Sequence, residues 1–167
     1  MPVNLRQISD SADGAPLDDT NLRLLAELQD DARLSLAELG RRVGLSSPAV
    51  AERLQRLEQG GTVGGYHAEI DPRALGYTLS AIIRMRPAPG QLYNAAEAAQ
   101  ATAEIVECHR VTGEDCYVMT AHVRDVQHLE EVIDRFAPLG QTTTSILQSS
   151  PVPRRGIAVL PAQSRGS

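Results

Sequence analysis

Ser46, Ser47 and Ala49, with Arg42, Arg53 and Arg56 close by, are the residues whose chemistry stands out first in this 167-residue chain. Guanidinium groups bind phosphate oxygens or the O6/N7 edge of guanine in a bidentate way, and serine hydroxyls bond to either phosphates or bases. Small side chains let a backbone come close. Together this is the chemistry of contact with double-stranded DNA. Glu52 lies among these residues; it would repel phosphate, or accept a hydrogen bond from cytosine N4. A second group, Thr112-Gly113-Glu114-Asp115, offers a hydroxyl, backbone donors and two carboxylates, and Thr142 and Thr144 lie two apart on a β-branched run. Residues two apart on a strand share a side, so both hydroxyls could serve one ligand. The plain alternatives are turn chemistry for the loop and strand propensity for the threonines. His67, His109, His122 and His128 are dispersed. Cys108, His109 and His122 would make a metal site only by gathering across a hairpin, and neighbours on a strand point to opposite faces, which parts Cys108 from His109. No Ser–His–Asp or paired-carboxylate arrangement is present, so no catalysis is expected.

The elements that must hold the first group are legible around it. Leu36, Leu39 and Val43 keep a helical spacing, and Gly44 stands where a left-handed cap ends a helix. Leu45 anchors a turn, Ser46 and Ser47 offer capping hydroxyls, and Pro48 fits a first helical turn. Val50, Leu54 and Leu57 form the stripe of a second helix, leaving Ser47, Ala49, Arg53 and Arg56 to face outward. That is a helix-turn-helix, whose second helix fits the major groove. An ordinary helical hairpin in a core would need the caps, the turn and the outward arginines to coincide by chance. Leu17 and Asp18 open an earlier helix, with Leu22, Leu25 and Leu28 on one face until Asp30 and Asp31. Thr62 to Ile70 reads as a Gly-punctuated ribbon able to form a wing.

The second half changes period. Tyr77, Leu79, Ala81, Ile83 and Met85 alternate as a strand, and Ala-rich Leu92 to Ala101 reads as a helix. Ile105 to Val111 and Tyr117 to Val123 read as a hairpin closed by the Thr112–Asp115 loop. Cys108 and Cys116 flank its two sides and are read as packing residues. Asp125 caps a helix with an apolar face of Val126, Leu129, Val132, Ile133 and Phe136, and Thr142 to Leu147 is a last strand. The order βαββαβ is the ferredoxin-like plan. The fold class is therefore α+β, a winged helix-turn-helix followed by a ferredoxin-like domain. The expected divisions are an arm over 1–16, the DNA-binding unit over 17–66, a linker over 67–76, the second domain over 77–150 and a tail over 151–167. An uncovered apolar sheet face, from Tyr77 to Met85 and Tyr117 to Val123, would call for a second copy.

Charge sets one objection. The formal net charge is −5, whereas nucleic-acid binding usually shows a basic footprint. Arg41, Arg42, Arg53 and Arg56 nonetheless cluster in the first half, and every basic residue in the chain is arginine. No apolar run is long enough to span a membrane, no signal segment opens the chain, and two cysteines make no disulfide framework, so the expected setting is a reducing cytoplasm.

Taken together, Leu17-Asp18, Arg33-Leu34-Ser35, Glu38-Leu39, Val43-Gly44-Leu45-Ser46, Val50, Arg53, Arg56-Leu57-Glu58, Gly65-Tyr66, Val111-Thr112-Gly113 and the threonine-rich last strand resemble the Lrp/AsnC (feast/famine) family of bacterial and archaeal transcription regulators. The resemblance runs over residues 16 to 150. It implies a winged helix-turn-helix that binds DNA as a dimer, and a second domain that dimerises through its sheet. It further implies assembly to octamers or related rings, with an amino-acid effector bound between dimers and no other cofactor. On that footing Thr112, Gly113, Glu114, Asp115, Thr142 and Thr144 are the expected effector residues. Many members carry an acid three places after the hairpin glycine; here that place is Cys116, with Asp115 one earlier. The Pro138–Thr142 turn is also shorter than the usual form. A family of sirohaem and haem-pathway decarboxylases shares this fold and uses His and Arg to hold a tetrapyrrole. The polar outer face of Ser47, Arg53 and Arg56 argues for DNA instead.

Overall fold

Three helices at the front of the chain begin at side-chain caps. Residues 17–159 are described by the computed structural model, and the expected arm over 1–16 lies outside them. Helix α1 spans Asp19–Asp30, with Asp18 accepting the Asn21 N–H at 2.7 Å. Helix α2 spans Leu36–Val43 behind Ser35, and α3 spans Ser47–Gln59 behind Ser46, whose Oγ accepts the Ala49 N–H at 3.4 Å. Each cap satisfies a donor the helix cannot, worth about 1 kcal/mol. Gly44, at φ +77, ends α2, and the N–H groups of Gly44 and Leu45 both bond to the Gly40 carbonyl at 2.8 Å. The turn is so close that a Cβ on Gly40 would run into the Leu45 carbonyl oxygen.

Leu24, Leu39, Val43, Val50, Leu54 and Leu57 make the core of this unit. Burying such a side chain is worth about 1.5–3 kcal/mol, and this shared core holds the short helices together. The expected stripes of α2 and α3 hold, except that Leu36 is exposed. On α1 the stripe is rotated. Asn21 and Leu24 are buried with Leu25 and Leu28 packed beside them, whereas Leu22 lies outside the cluster. A 3.6-residue period runs through 21, 24 and 28 better than through 22, 25 and 28.

The expected wing is not a hairpin: Thr62 to Ile70 forms no strand among the described residues. Val63 packs on the core, and the Tyr66 hydroxyl donates to Glu58 Oε1 at 2.8 Å. Burial and that carboxylate push the phenol up to about 12. Contacts divide the chain after Ala68, and residues 152–159 group with the first unit. The described part of the tail is pinned there: Gln29 Nε2 donates to the Ile157 carbonyl at 3.0 Å and Gln29 Oε1 accepts the Ile157 N–H at 2.6 Å.

The second unit, Glu69–Pro151, opens with a single 3-10 turn, Pro72–Leu75, where the linker was expected. Then follow β1 (Leu79–Pro87), α4 (Leu92–Ala101), β2 (Ile105–Arg110), β3 (Tyr117–Val123), α5 (Val126–Asp134) and β4 (Gly140–Ile146). The sheet is antiparallel in the order β2-β3-β1-β4, which is the expected βαββαβ arrangement. Ala81, Ile83, Met85, Tyr117, Met119, Ala121 and Val123 pack beneath Ala95, Ala99, Leu129, Val132 and Phe136. The strongly apolar alternants are thus covered by the chain's own helices, which corrects the expectation of an uncovered apolar face. The open face carries the other alternants, Ser80, Ile82, Arg84, Val118, Thr120 and His122. On α5 the apolar stripe excludes Val126, which is 56% exposed, and includes His128. The imidazole is satisfied, with Nδ1 accepting the Arg124 N–H at 3.2 Å and Nε2 lying 2.8 Å from Glu104 Oε1.

Candidate DNA interface and effector site

On α3, Glu52 and Arg56 are exposed, while Ser47, Ala49 and Arg53 are half-buried. A hollow of about 300 Å³ opens beside them, lined by Asp18, Asn21, Leu45, Ala49, Glu52, Arg53 and Arg56. Every arginine of this motif meets a carboxylate. Arg41 Nη2 lies 2.6 Å from Glu38 Oε1, and Arg42 contacts Glu38 at 2.8 Å and Glu27 at 2.7 Å. Those two guanidiniums hold the Glu38 carboxyl down at about 2. Arg56 pairs with Glu52 one turn earlier, which accounts for the acid on the recognition helix.

Arg53 is placed differently. Its Nη1 donates to Asp18 Oδ2 at 2.7 Å and to Asn21 Oδ1 at 3.1 Å. The guanidinium therefore ties the middle of α3 to the capped start of α1 and lowers the Asp18 pKa by its hydrogen bond. Of the residues expected to meet DNA, Ser46 caps its own helix, and Arg42 and Arg53 are bound within the unit. Ser47, Ala49 and Arg56 have no such side-chain role apart from the Arg56–Glu52 pair. Sequence reasoning missed Asn21 and Gly40, and read Asp18 as the start of its helix without its bond from Arg53; the glycine's place four residues before a left-handed cap was the available sign.

The hairpin loop has Gly113 at φ +114, where glycine is required. It is fastened by the Val111 N–H to the Cys116 carbonyl and by the Cys116 N–H to the Met85 carbonyl, both at 2.9 Å. Arg86 Nε donates to the Glu114 carbonyl at 3.0 Å and its Nη2 to Glu114 Oε2 at 2.8 Å. Arg84 Nε stands 4.0 Å from Asp115 Oδ2. Thr142 and Thr144 pair with Met85 and Ile83 of β1, so they share the helix-covered side. Arg84, between those positions, points to the open side. Within one chain the structure thus brings Thr112–Asp115 together with Arg84 and Arg86, and puts Thr142 and Thr144 on the opposite face of the sheet. Neither arginine was singled out from the sequence, although two arginines two apart on a strand were a visible sign. No group of three potential metal ligands gathers among the described residues. Cys108 and Cys116 are both free, and Cys108 is exposed rather than packed.

Residues 17–58 match the AsnC-type helix-turn-helix domain and residues 80–157 the Lrp/AsnC ligand binding domain. An HTH-type transcriptional regulator of Bacillus subtilis, YezC, is 40% identical over 80% of this chain and 95% of its own length. The leucine-responsive regulatory protein of Escherichia coli is 35% identical over 80% of this chain and 86% of its own. Among solved structures, the feast or famine regulatory protein Rv3291c of Mycobacterium tuberculosis, complexed with L-methionine, is 35% identical. It superposes with a TM-score of 0.80 over 85% of this chain and 99% of its own. These relatives are transcription regulators, not enzymes, and no helix among the described residues is long and apolar enough to cross a membrane. By domain order, by sequence and by fold, this chain belongs to the Lrp/AsnC family of DNA-binding transcription regulators.

Proposed function

We propose that this regulator changes its hold on DNA when an amino acid binds its second unit. The observation that supports this best is a fold match to a relative complexed with L-methionine, joined to a loop bearing Gly113, Glu114 and Asp115 at one end of the sheet. An amino acid presents an ammonium, which needs carboxylates or carbonyls, and a carboxylate, which needs N–H or hydroxyl donors. In this reading Ser47, Ala49 and Arg56 face the DNA, with Ser46, Arg42 and Arg53 supporting that surface. Thr112, Gly113, Glu114 and Asp115 form the effector site. Because Thr142 and Thr144 lie on the other face of the sheet, they join the site only from a neighbouring subunit. That fits an effector held between dimers. The half-polar open face of Ser80, Ile82, Val118 and Thr120 pairs with a second copy, and the dimers assemble further, in the cytoplasm.

The test combines two measurements on the full chain. A thermal-shift screen of the twenty amino acids should find one that raises the melting temperature, because a ligand of the folded state stabilises by RT ln(1 + [L]/Kd). The same amino acid should alter the gel-shift pattern on operator DNA, and light scattering should give a dimer or a multiple of it. A stabilising amino acid that leaves DNA binding and assembly unchanged would overturn the reading.

A further inference from the structure

The uncommitted positive charge of the first unit lies on the tail rather than on the recognition helix. Arg41, Arg42, Arg53 and Arg56 meet carboxylates, and Arg23 is held by the Arg42 carbonyl at 2.7 Å. Among the described residues, Arg33, Arg154 and Arg155 are the guanidiniums of this unit that make no such bond. Residues 17–68 carry eight carboxylates against six arginines. Arg154 and Arg155 bring that to balance, and no Asp or Glu follows Asp134 in the chain.

The two arginines are brought to the unit by the main chain. The Gln29 amide grips the Ile157 N–H and carbonyl at 2.6 and 3.0 Å. A Cβ on Gly156 would stand 3.0 Å from Gln29 Oε1 and 3.1 Å from Gln29 Cβ, so the backbone passes close. No apolar anchor explains this docking, since Ile157 is 84% exposed, and Arg154 and Arg155 are open to solvent. Two and three residues of extended chain span at most about 7 and 11 Å, so both arginines stay near the end of α1. Helix α1 ends at Asp30 and α2 begins at Leu36. This corner therefore leads into the first helix of the helix-turn-helix, which crosses the phosphate backbone when such a motif docks. Asp30 and Asp31 outweigh Arg33 there, and Arg154 and Arg155 turn the balance positive. We propose that residues 152–159 are part of the DNA-binding head, and that Arg154 and Arg155 bind phosphates of double-stranded DNA beside the groove that α3 enters. This rests on the chain being a DNA-binding regulator and adds a contact outside the helix-turn-helix. It also meets the objection of the −5 net charge, because phosphate binding needs only a local basic footprint.

Phosphate contacts carry no sequence information, so a short duplex of arbitrary sequence is the probe. It is titrated by fluorescence anisotropy with the full chain at several salt concentrations. Each phosphate contact contributes about 0.9 to the slope of log K against log salt. Arg154→Gln with Arg155→Gln should weaken binding at low salt by at least about fivefold and flatten the slope by about one or more. Arg154→Lys with Arg155→Lys keeps the charge and should keep the parent's slope. Arg110→Gln with Arg124→Gln removes the same charge from the second unit and should leave the slope alone. Gln29→Ala frees the tail without removing charge, so it should weaken binding and leave the glutamine pair little more to remove. Light scattering should give every variant the parent's mass. If the Arg154–Arg155 glutamine variant matches the parent at every salt concentration, or the Arg110–Arg124 variant flattens the slope as much, the tail contact is wrong while DNA binding stands. A fall in mass of the Arg154–Arg155 glutamine variant would assign those arginines to assembly and overturn the contact as well. Gln29→Ala with parental affinity would overturn the pinned geometry. If the parent leaves the duplex unbound even at low salt, both readings fall together.

Discussion

Replacing Arg53 by alanine separates a structural arginine from a DNA-reading one. The change removes an ion pair to Asp18 whose partners are 31% and 45% exposed, and a hydrogen bond to the side chain of the buried Asn21 at 3.1 Å. A pair this exposed is worth about 0.2–1 kcal/mol, and the bond to a buried amide adds about 1 kcal/mol. Arg53→Ala should therefore cost about 1.5 kcal/mol. For a unit of this size that lowers its melting temperature by roughly 6–12 °C. Asp18→Asn is the matching partner, because asparagine still caps α1 and only the charge is lost. Melting followed by far-UV circular dichroism over the four proteins of the double-mutant cycle gives the coupling, expected at about 0.5 kcal/mol. Fluorescence anisotropy with operator DNA at several salt concentrations then decides the role. A lost phosphate contact lowers the slope of log K against log salt by about one, and a lost strut weakens binding equally at every salt concentration. The strut is the expected result. Arg53→Ala with parental stability and a slope reduced by one would refute it.

Three further outcomes follow from particular contacts. Glu52→Gln removes the partner of Arg56, so DNA affinity should rise several-fold and the salt slope steepen by up to one; unchanged anisotropy isotherms would contradict this. Gly40→Ala sets a methyl group against the Leu45 carbonyl oxygen and should destabilise the helix-turn-helix by about 2–4 kcal/mol while the second unit melts as before. Glu104, with hydrogen bonds from His128 and Arg135, is held at about 2 against an ordinary 4.5. A lowered carboxylate stabilises the fold above its unfolded pKa. That contribution, about 3 kcal/mol, should drain away as pH falls from about 4.5 toward 2. Glu104→Gln should flatten this acid limb in urea melts taken at several pH values.

The parts of this molecule that repeat locally could be read without coordinates. Caps at Asp18, Ser46 and Asp125, and the left-handed Gly44, act within a turn of themselves, and all appear where the residue types placed them. The strands fell where period-two alternation put them. What failed depended on partners far away in sequence. Which alternants of β1 and β3 were covered was decided by α4 and α5, so the face left open proved more polar than expected. Thr142 and Thr144 do share a side, but only the register with β1 shows that Asp115 lies beyond the other face. Arg53 is off the apolar stripe of α3, as its position required, but its partners lie on α1. Helical spacing tells which residues face outward and is silent about whether a neighbouring element is waiting there.

The matched charges of the first unit bear on the proposed link between sensing and assembly. Each arginine beside the recognition helix already has a carboxylate, so moving onto phosphate exchanges one screened anion for another and gains little. One head alone should then hold DNA weakly, in the range of about 10⁻⁴–10⁻⁶ M typical of non-specific binding. Two heads linked in a dimer act differently, because the second binds at an effective concentration of about millimolar, and avidity of about 10²–10⁴ follows when the spacing fits. An effector that alters head spacing controls that whole factor, whereas one that perturbs a single contact controls about tenfold. The consequence can be measured with two DNA duplexes, a full two-fold symmetric operator and one half of it. The full site should bind at least a hundredfold more tightly than the half site. Saturating effector should change the full-site affinity and leave the half-site affinity within twofold. An effector that shifted both equally would act on the head itself, and the argument from spacing would fail.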